Sequence, residues 1–147
     1  MTRTTPPPAP VPSTVLLMDR LAGATAGYYR RFAAVAAAHG LTPMQGKMLG
    51  LLRHPMPMRA LADLLGCDAS NVTGIVDRLE ARGLARREAD PADRRIKNVL
   101  LTEEGEAAVR CIRAEVATGL PGLEQLDESE RRALGDLLAR VFPTATG

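Results

Sequence analysis

The sequence predicts a mainly α-helical fold with one small β-hairpin, and three observations carry that reading. Apolar residues recur at steps of three and four through most of residues 14–142, capping signals precede these stretches, and the period changes only at residues 84–101. A length of 147 residues corresponds to one domain, or two lobes sharing a core, and buries enough surface to need no disulfide or metal staple. With 46% hydrophobic and 24% charged residues, disorder throughout is excluded. The longest apolar run, Phe32 to Ala38, is far short of the ~20 residues of a membrane span. Near the start, Val15-Leu16-Leu17-Met18 is too short for a secretory segment, so a cytoplasmic chain with no membrane partner is expected.

Residues 1–13 contain Pro6, Pro7, Pro8, Pro10 and Pro12 and read as a flexible, extended arm that builds no core. From Ser13 to Ala38 a helix is predicted, with Leu17, Leu21, Ala24, Tyr28, Phe32 and Val35 on one face and Gly40 as its stop. Thr42-Pro43-Met44-Gln45 is a strong helix start: Thr42 caps, Pro43 suits the first position and Gln45 reaches back to the cap. That second helix runs to about Arg53, before Pro55 and Pro57. A third spans about Arg59 to Leu65 and ends at Gly66. Asp68 caps a fourth, whose Val72, Ile75, Val76 and Leu79 form one stripe, stopped by Gly83. Residues 84–87 and 96–101 flank Asp90-Pro91-Ala92-Asp93 and read as a two-stranded hairpin with a basic tip. Thr102 caps a fifth helix with Glu103 and Glu104 in its first turn and Val109, Ile112 and Val116 inside. After Pro121-Gly122, Asp127-Glu128-Ser129-Glu130 opens a last helix bearing Leu134, Leu137, Leu138 and Val141.

Little in the sequence supports catalysis or cofactor binding. Cys67 and Cys111 make neither a disulfide framework nor a metal pattern, and His39 and His54 are the only histidines. There is no Gly-rich phosphate loop and no Ser/His/Asp set, so no enzyme, metal or cofactor is expected. Four aromatic residues are too few for a single-strand stacking surface. Charge is unevenly divided: residues 1–58 carry six basic residues and one acidic, residues 98–147 five and nine. Residues 82–97 set Arg82, Arg86, Arg87, Arg94, Arg95 and Lys97 against Glu88, Asp90 and Asp93, a local excess that points to a polyanion.

The most specific signal spans Leu61 to Ile75. Ala62 is small where two helices approach, Gly66 supplies a left-handed turn, and Leu61, Leu65, Val72 and Ile75 pack the pair together. The opposite face then presents Ser70, Asn71, Thr73, Gly74, Asp77 and Arg78, short polar groups suited to base edges and phosphates in a major groove. A packing motif that binds nothing has the same apolar half. The hairpin shifts the balance, because Arg94 and Arg95 project at its tip where arginine enters a minor groove or grips phosphate, with Asp93 adjacent to hold one of them. A helix-turn-helix followed at once by a basic hairpin is a winged helix.

Residues 41–105 resemble the MarR (multiple antibiotic resistance regulator) family of bacterial transcription factors. The matching stretches are Leu41-Thr42-Pro43-Met44-Gln45, Ser70-Asn71-Val72-Thr73, residues 76–84, Asp90-Pro91-Ala92-Asp93-Arg94-Arg95 and Leu101-Thr102-Glu103-Glu104-Gly105. With flanking helices the resemblance covers about residues 14–142. It implies a homodimer built by residues 14–40 and 102–142, and a DNA-binding winged helix at 41–101 that reads a palindromic operator in double-stranded DNA, as a repressor. Ser70, Asn71, Thr73 and Arg78 become groove or backbone contacts, and Arg94 or Arg95 the minor-groove finger. Many members carry a longer basic side chain where this chain has Gly74. The resemblance also implies a small aromatic or phenolic ligand between dimer lobe and winged helix that releases the DNA, with Tyr28, Phe32, Met44 and Met48 as pocket candidates. Two alternatives stand beside it. One is a winged helix for protein contacts alone, which would show an apolar or acidic recognition face. The other is a thiol-sensing regulator. Peroxide-sensing members place their cysteine early in the first long helix, where this chain has none, and Cys67 and Cys111 read as packing residues.

Overall fold

The computed structural model of the chain describes residues 10–143. Residues 1–9 of the proline-rich arm lie outside them. In chain order the elements are α1 (Thr14–Ala38), α2 (Pro43–Leu51), β1 (Met56–Pro57), α3 (Met58–Leu65), α4 (Ala69–Ala81), β2 (Ala85–Ala89), β3 (Lys97–Leu101), α5 (Glu103–Thr118), α6 (Pro121–Glu124) and α7 (Glu128–Val141). The mainly α, winged helix-turn-helix class read from the sequence is the observed one. Among the described residues no helix is long and apolar enough to cross a membrane.

Local chemistry sets the helix starts. Ser13, Thr42, Asp68, Thr102 and Asp127 each accept a backbone N–H of the first turn through a side-chain oxygen. Thr42–Gln45 and Asp127–Glu130 are full capping boxes, in which the third helical side chain also bonds back to the cap N–H. Gly66 ends α3 at φ 63°, a left-handed conformation that turns the chain sharply into α4.

Two elements differ from the sequence expectation. The hairpin is part of a three-stranded antiparallel sheet of order β1-β3-β2, because Met56 and Pro57 pair with Val99 and Asn98 on the free side of β3. A proline is tolerated there because β1 is an edge strand. The segment after Pro121 is a single helical turn, α6, rather than a plain break.

The core is assembled from the middle of the chain. Val35 and Ala36 of α1, Met48 and Leu49 of α2, Leu61 and Leu65 of α3, and Ile112 and Val116 of α5 close around Val72, Ile75, Val76 and Leu79 of α4, with Ala85 and Val99 from the sheet. The α1 face read from the sequence is fully covered only at its end: Leu17, Ala24 and Tyr28 remain exposed, Leu21 and Phe32 are half-buried and Val35 is buried. Helix α7 buries no residue.

Candidate nucleic-acid interface

Helices α3 and α4 meet at the Gly66 turn, with Leu61, Leu65, Val72 and Ile75 buried between them and the sheet. The opposite face of α4 is left open, and its first turns hold the short polar side chains. Asp68 accepts from the Asn71 amide at 2.8 Å and from the Ser70 hydroxyl at 2.8 Å. Those bonds, the Asn71 amide first and the Ser70 hydroxyl second, hold the Asp68 carboxyl below its ordinary pKa. Thr73 donates its hydroxyl to the Ala69 carbonyl at 2.9 Å. With both hydroxyl protons committed, Ser70 and Thr73 offer acceptor lone pairs outward. Asn71 and Arg78 are exposed, and among the described residues their side chains form no intramolecular hydrogen bond, so they are the free donors of this face. A Cβ at Gly74 would meet nothing within 4 Å, which leaves an open slot between them.

Asp77 shares that face in the sequence, but the structure gives its carboxylate a partner. Arg87 of β2 donates through Nη2 to Asp77 Oδ1 at 2.7 Å, through Nη1 to Glu80 Oε2, and through its backbone N–H to Glu80 Oε1 at 2.8 Å. Arg87 is thus a strut that ties the hairpin to the C-terminal half of α4, a role the sequence reading missed. Strand alternation carries the signal: Arg87 lies two residues from buried Ala85, on the same side of β2. Arg86, on the other side, pairs with Glu88.

The hairpin tip is closed by Asp90. Its Oδ1 accepts from the amides of Ala92 (2.8 Å) and Asp93 (3.1 Å), and its Oδ2 from Asn98 Nδ2 at 2.8 Å. The Asn98 amide, then the two backbone N–H groups, hold this carboxyl below the usual range. Asp90 therefore shapes the loop instead of neutralising an arginine. Asp93 holds Arg95, with Nε at 3.2 Å from Oδ1. Arg94 is exposed and, among the described residues, forms no ion pair; Lys97 opens β3, also exposed.

A second feature lies away from this surface. A cavity of about 540 Å³ opens between α1, α2 and α5. Tyr28, Tyr29 and Phe32 form one wall, with Tyr28 and Phe32 stacked at 6.3 Å between centroids. Val109, Ile112, Val116 and Leu120 form another, and Lys47 and Arg113 bring two cations. Tyr28 and Phe32, two of the four pocket candidates read from the sequence, line this cavity. Met44 and Met48 are a correction, since neither lines the cavity: Met48 is fully buried in the core and Met44 lies at the surface. Helix α2 instead turns Gly46, Lys47 and Gly50 to the cavity. Cys67 is half-buried against the core and Cys111 is exposed on α5.

A family model described as "MarR family" matches residues 39–96, the stretch from the end of α1 to the hairpin tip. The chain is 31% identical over 106 residues to the HTH-type transcriptional regulator MhqR of Bacillus subtilis, covering 70% of this chain and 73% of that one. It is 32% identical over 153 aligned positions to the HTH-type transcriptional repressor NicR of Pseudomonas putida, covering 95% and 94%. Among solved structures it is similar to CouR of Rhodococcus jostii bound to p-coumaroyl-CoA, with TM-score 0.64, 28% identity, and coverage of 90% and 94%. The open polar face of α4, the adjoining basic hairpin and these likenesses agree: the chain belongs to the MarR family of DNA-binding transcriptional regulators.

Proposed function

We propose that this regulator is a homodimeric repressor that reads a palindromic operator and leaves it when an organic ligand fills the cavity between α1, α2 and α5. The observation that carries the DNA half is the open α4 face, with free donors at Asn71 and Arg78, set beside an unpaired Arg94 at the hairpin tip. Asn71 and Arg78 are the base-reading donors in the major groove, Ser70 and Thr73 accept from base amino groups or waters, and Arg94 enters the neighbouring minor groove. Lys97 and Arg95 contribute phosphate contacts, Arg95 with its charge partly offset by Asp93. Asp77, bound to Arg87, aligns the wing. Repression is supported by the likeness to NicR, which is a repressor. A ligand is supported by the cavity's size, which lies in the range of small-molecule sites, and by the likeness to CouR, whose structure holds p-coumaroyl-CoA. Release requires that the ligand bind a non-DNA-binding dimer geometry more tightly than the DNA-binding one.

The test begins with selection of tight-binding duplexes from a randomised pool, read by fluorescence anisotropy at two salt concentrations. A palindromic consensus bound by one dimer is the expected result; equal, weak binding to every duplex overturns the reading. On the selected duplex, Arg94→Ala removes one arginine from each half-site, so it should weaken binding by roughly 5- to 100-fold per half-site and lower the salt slope by about two. Arg95→Ala should do less, because Asp93 already engages that side chain.

A further inference from the structure

The turn that ends α1 is gripped from two neighbouring helices. Arg82, the residue that caps the C-terminus of α4, donates through Nη1 to the Gly40 carbonyl at 2.6 Å and through Nη2 to the His39 carbonyl at 2.9 Å. Carbonyls at a helix C-terminus have no intrahelical donor and form the negative end of its dipole, so a guanidinium there is favoured on both counts. From the other side, His39 Nε2 lies 2.9 Å from Glu115 Oε1 of α5, while Arg31 of α1 donates to the Glu115 carbonyl at 2.7 Å. A planar fork with two parallel donors fixes direction as well as distance. Arg82 therefore sets the angle at which the base-reading helix meets the end of α1.

We propose that Arg82 is a positioning residue that determines the spacing the protein accepts between two operator half-sites. This rests on the dimeric, palindrome-reading function above. In that dimer α1 belongs to the lobe shared by the two copies, and α4 carries the bases' partners. The twelve residue steps from Ser70 to Arg82 span about 18 Å of helix. A tilt of about 5° at the Arg82 end therefore moves Ser70 by about 1.6 Å. Two-fold symmetry applies the same displacement in both copies, so the separation of the two reading helices changes by about 3 Å, close to the ~3.4 Å rise of one base pair. Arg82 needs no contact with DNA to act this way, since both terminal nitrogens of its guanidinium are bonded to the turn that ends α1.

The experiment compares four duplexes: the selected palindrome, the same site with one central base pair added, with one removed, and a single half-site. Wild-type protein should bind the altered spacers at least ~30-fold more weakly than the native one, in line with the energies of misplaced base contacts. Arg82→Gln should compress that ratio below about fivefold, with half-site affinity within about twofold of wild type and the dimer mass unchanged. Arg82→Lys, which keeps the charge but puts its donors on a single nitrogen in place of the planar fork, should fall between them, and it carries the test if Arg82→Gln does not fold. A uniform loss on all four duplexes would mean that Arg82 is merely structural, and an unchanged ratio would mean that it does not set spacing. Either overturns the proposal while leaving the dimeric reading intact. Wild-type protein indifferent to spacing would overturn both.

Discussion

Helices α4 and α7 carry the same apolar stripe and meet opposite fates. Val72, Ile75, Val76 and Leu79 in α4 follow an i, i+3, i+4, i+7 spacing, and every one is buried. Leu134, Leu137, Leu138 and Val141 in α7 repeat that spacing and stay exposed, Val141 at 59%. At the other end of the chain, Val15, Leu16, Leu17 and Met18 of α1 are exposed too. Periodicity identifies which face of a helix is apolar, but not whether its own chain covers that face. The middle of the molecule closes a core by itself, whereas the two terminal helices present apolar surface of the kind that marks an interaction site. In the proposed dimer the ends supply the lobe and the middle supplies the reading head.

That division predicts its largest effect at α7. Leu134→Glu combined with Leu138→Glu should convert the dimer to a monomer in light scattering, because four charges would enter each two-fold interface. Affinity for the palindrome should fall at least ~100-fold as the second half-site loses its high effective concentration. Single half-site binding should survive, since α7 gives the reading head no buried residue. A double mutant that stays dimeric would move the interface elsewhere.

A smaller effect separates the two regions by how tightly they pack. Gly105, in the first turn of α5, lies so close to the Leu84 carbonyl that an added Cβ would overlap it. Gly105→Ala should therefore cost about 1–3 kcal/mol in urea unfolding, as overpacking of a tight contact does. Gly135 of α7 has nothing within 4 Å of a built Cβ in its own chain. Gly135→Ala should be neutral or add up to about 1 kcal/mol through helix propensity. A loss at Gly135 as large as that at Gly105 would place a partner surface against it.

The same contrast explains what could be read in advance. Caps and stops were legible because they depend on neighbours in the sequence: Thr42 with Gln45, Asp68 before α4, Gly66 between two helices. The turn-helix unit was legible because α3 and α4 each bury a single face. Strand β1 was not, since Met56 and Pro57 together are shorter than any period and become a strand only by pairing with β3. The cavity lining was half legible. Helix α2 puts Met44, Met48 and Leu51 on one side, which suits a core face and a cavity wall equally, and the structure buries Met48 while turning Lys47 to the cavity. Asp77 stays exposed on the α4 face, but its ion pair with Arg87 depends on the sheet and has no signal in the α4 sequence. What sequence reasoning lacked each time was the partner element.

The smallest effect concerns acid. Asp90 at the wing tip and Asp127 at the start of α7 both accept hydrogen bonds that lower their pKa below 3.8, Asp90 chiefly from Asn98 and Asp127 chiefly from the Glu130 amide. A carboxyl with a depressed folded-state pKa favours folding in its ionised form. Its contribution is complete above its unfolded value near 3.8 and is lost as pH falls through the lower folded value. Between pH 6 and 4.5 the amide resonances of Ala92, Asp93 and Glu130 should hardly move. Below pH 4 all three should shift, yet the consequences should differ. The wing tip remains framed by the β2–β3 ladder from Ala85–Leu101 to Ala89–Lys97. Helix α7 has no buried residue of its own to retain it, so in the monomeric Leu134→Glu, Leu138→Glu protein its first turn should fray over the same pH range. In the wild-type dimer that fraying should be suppressed. Equal fraying in both proteins would mean that the second copy does not cover α7.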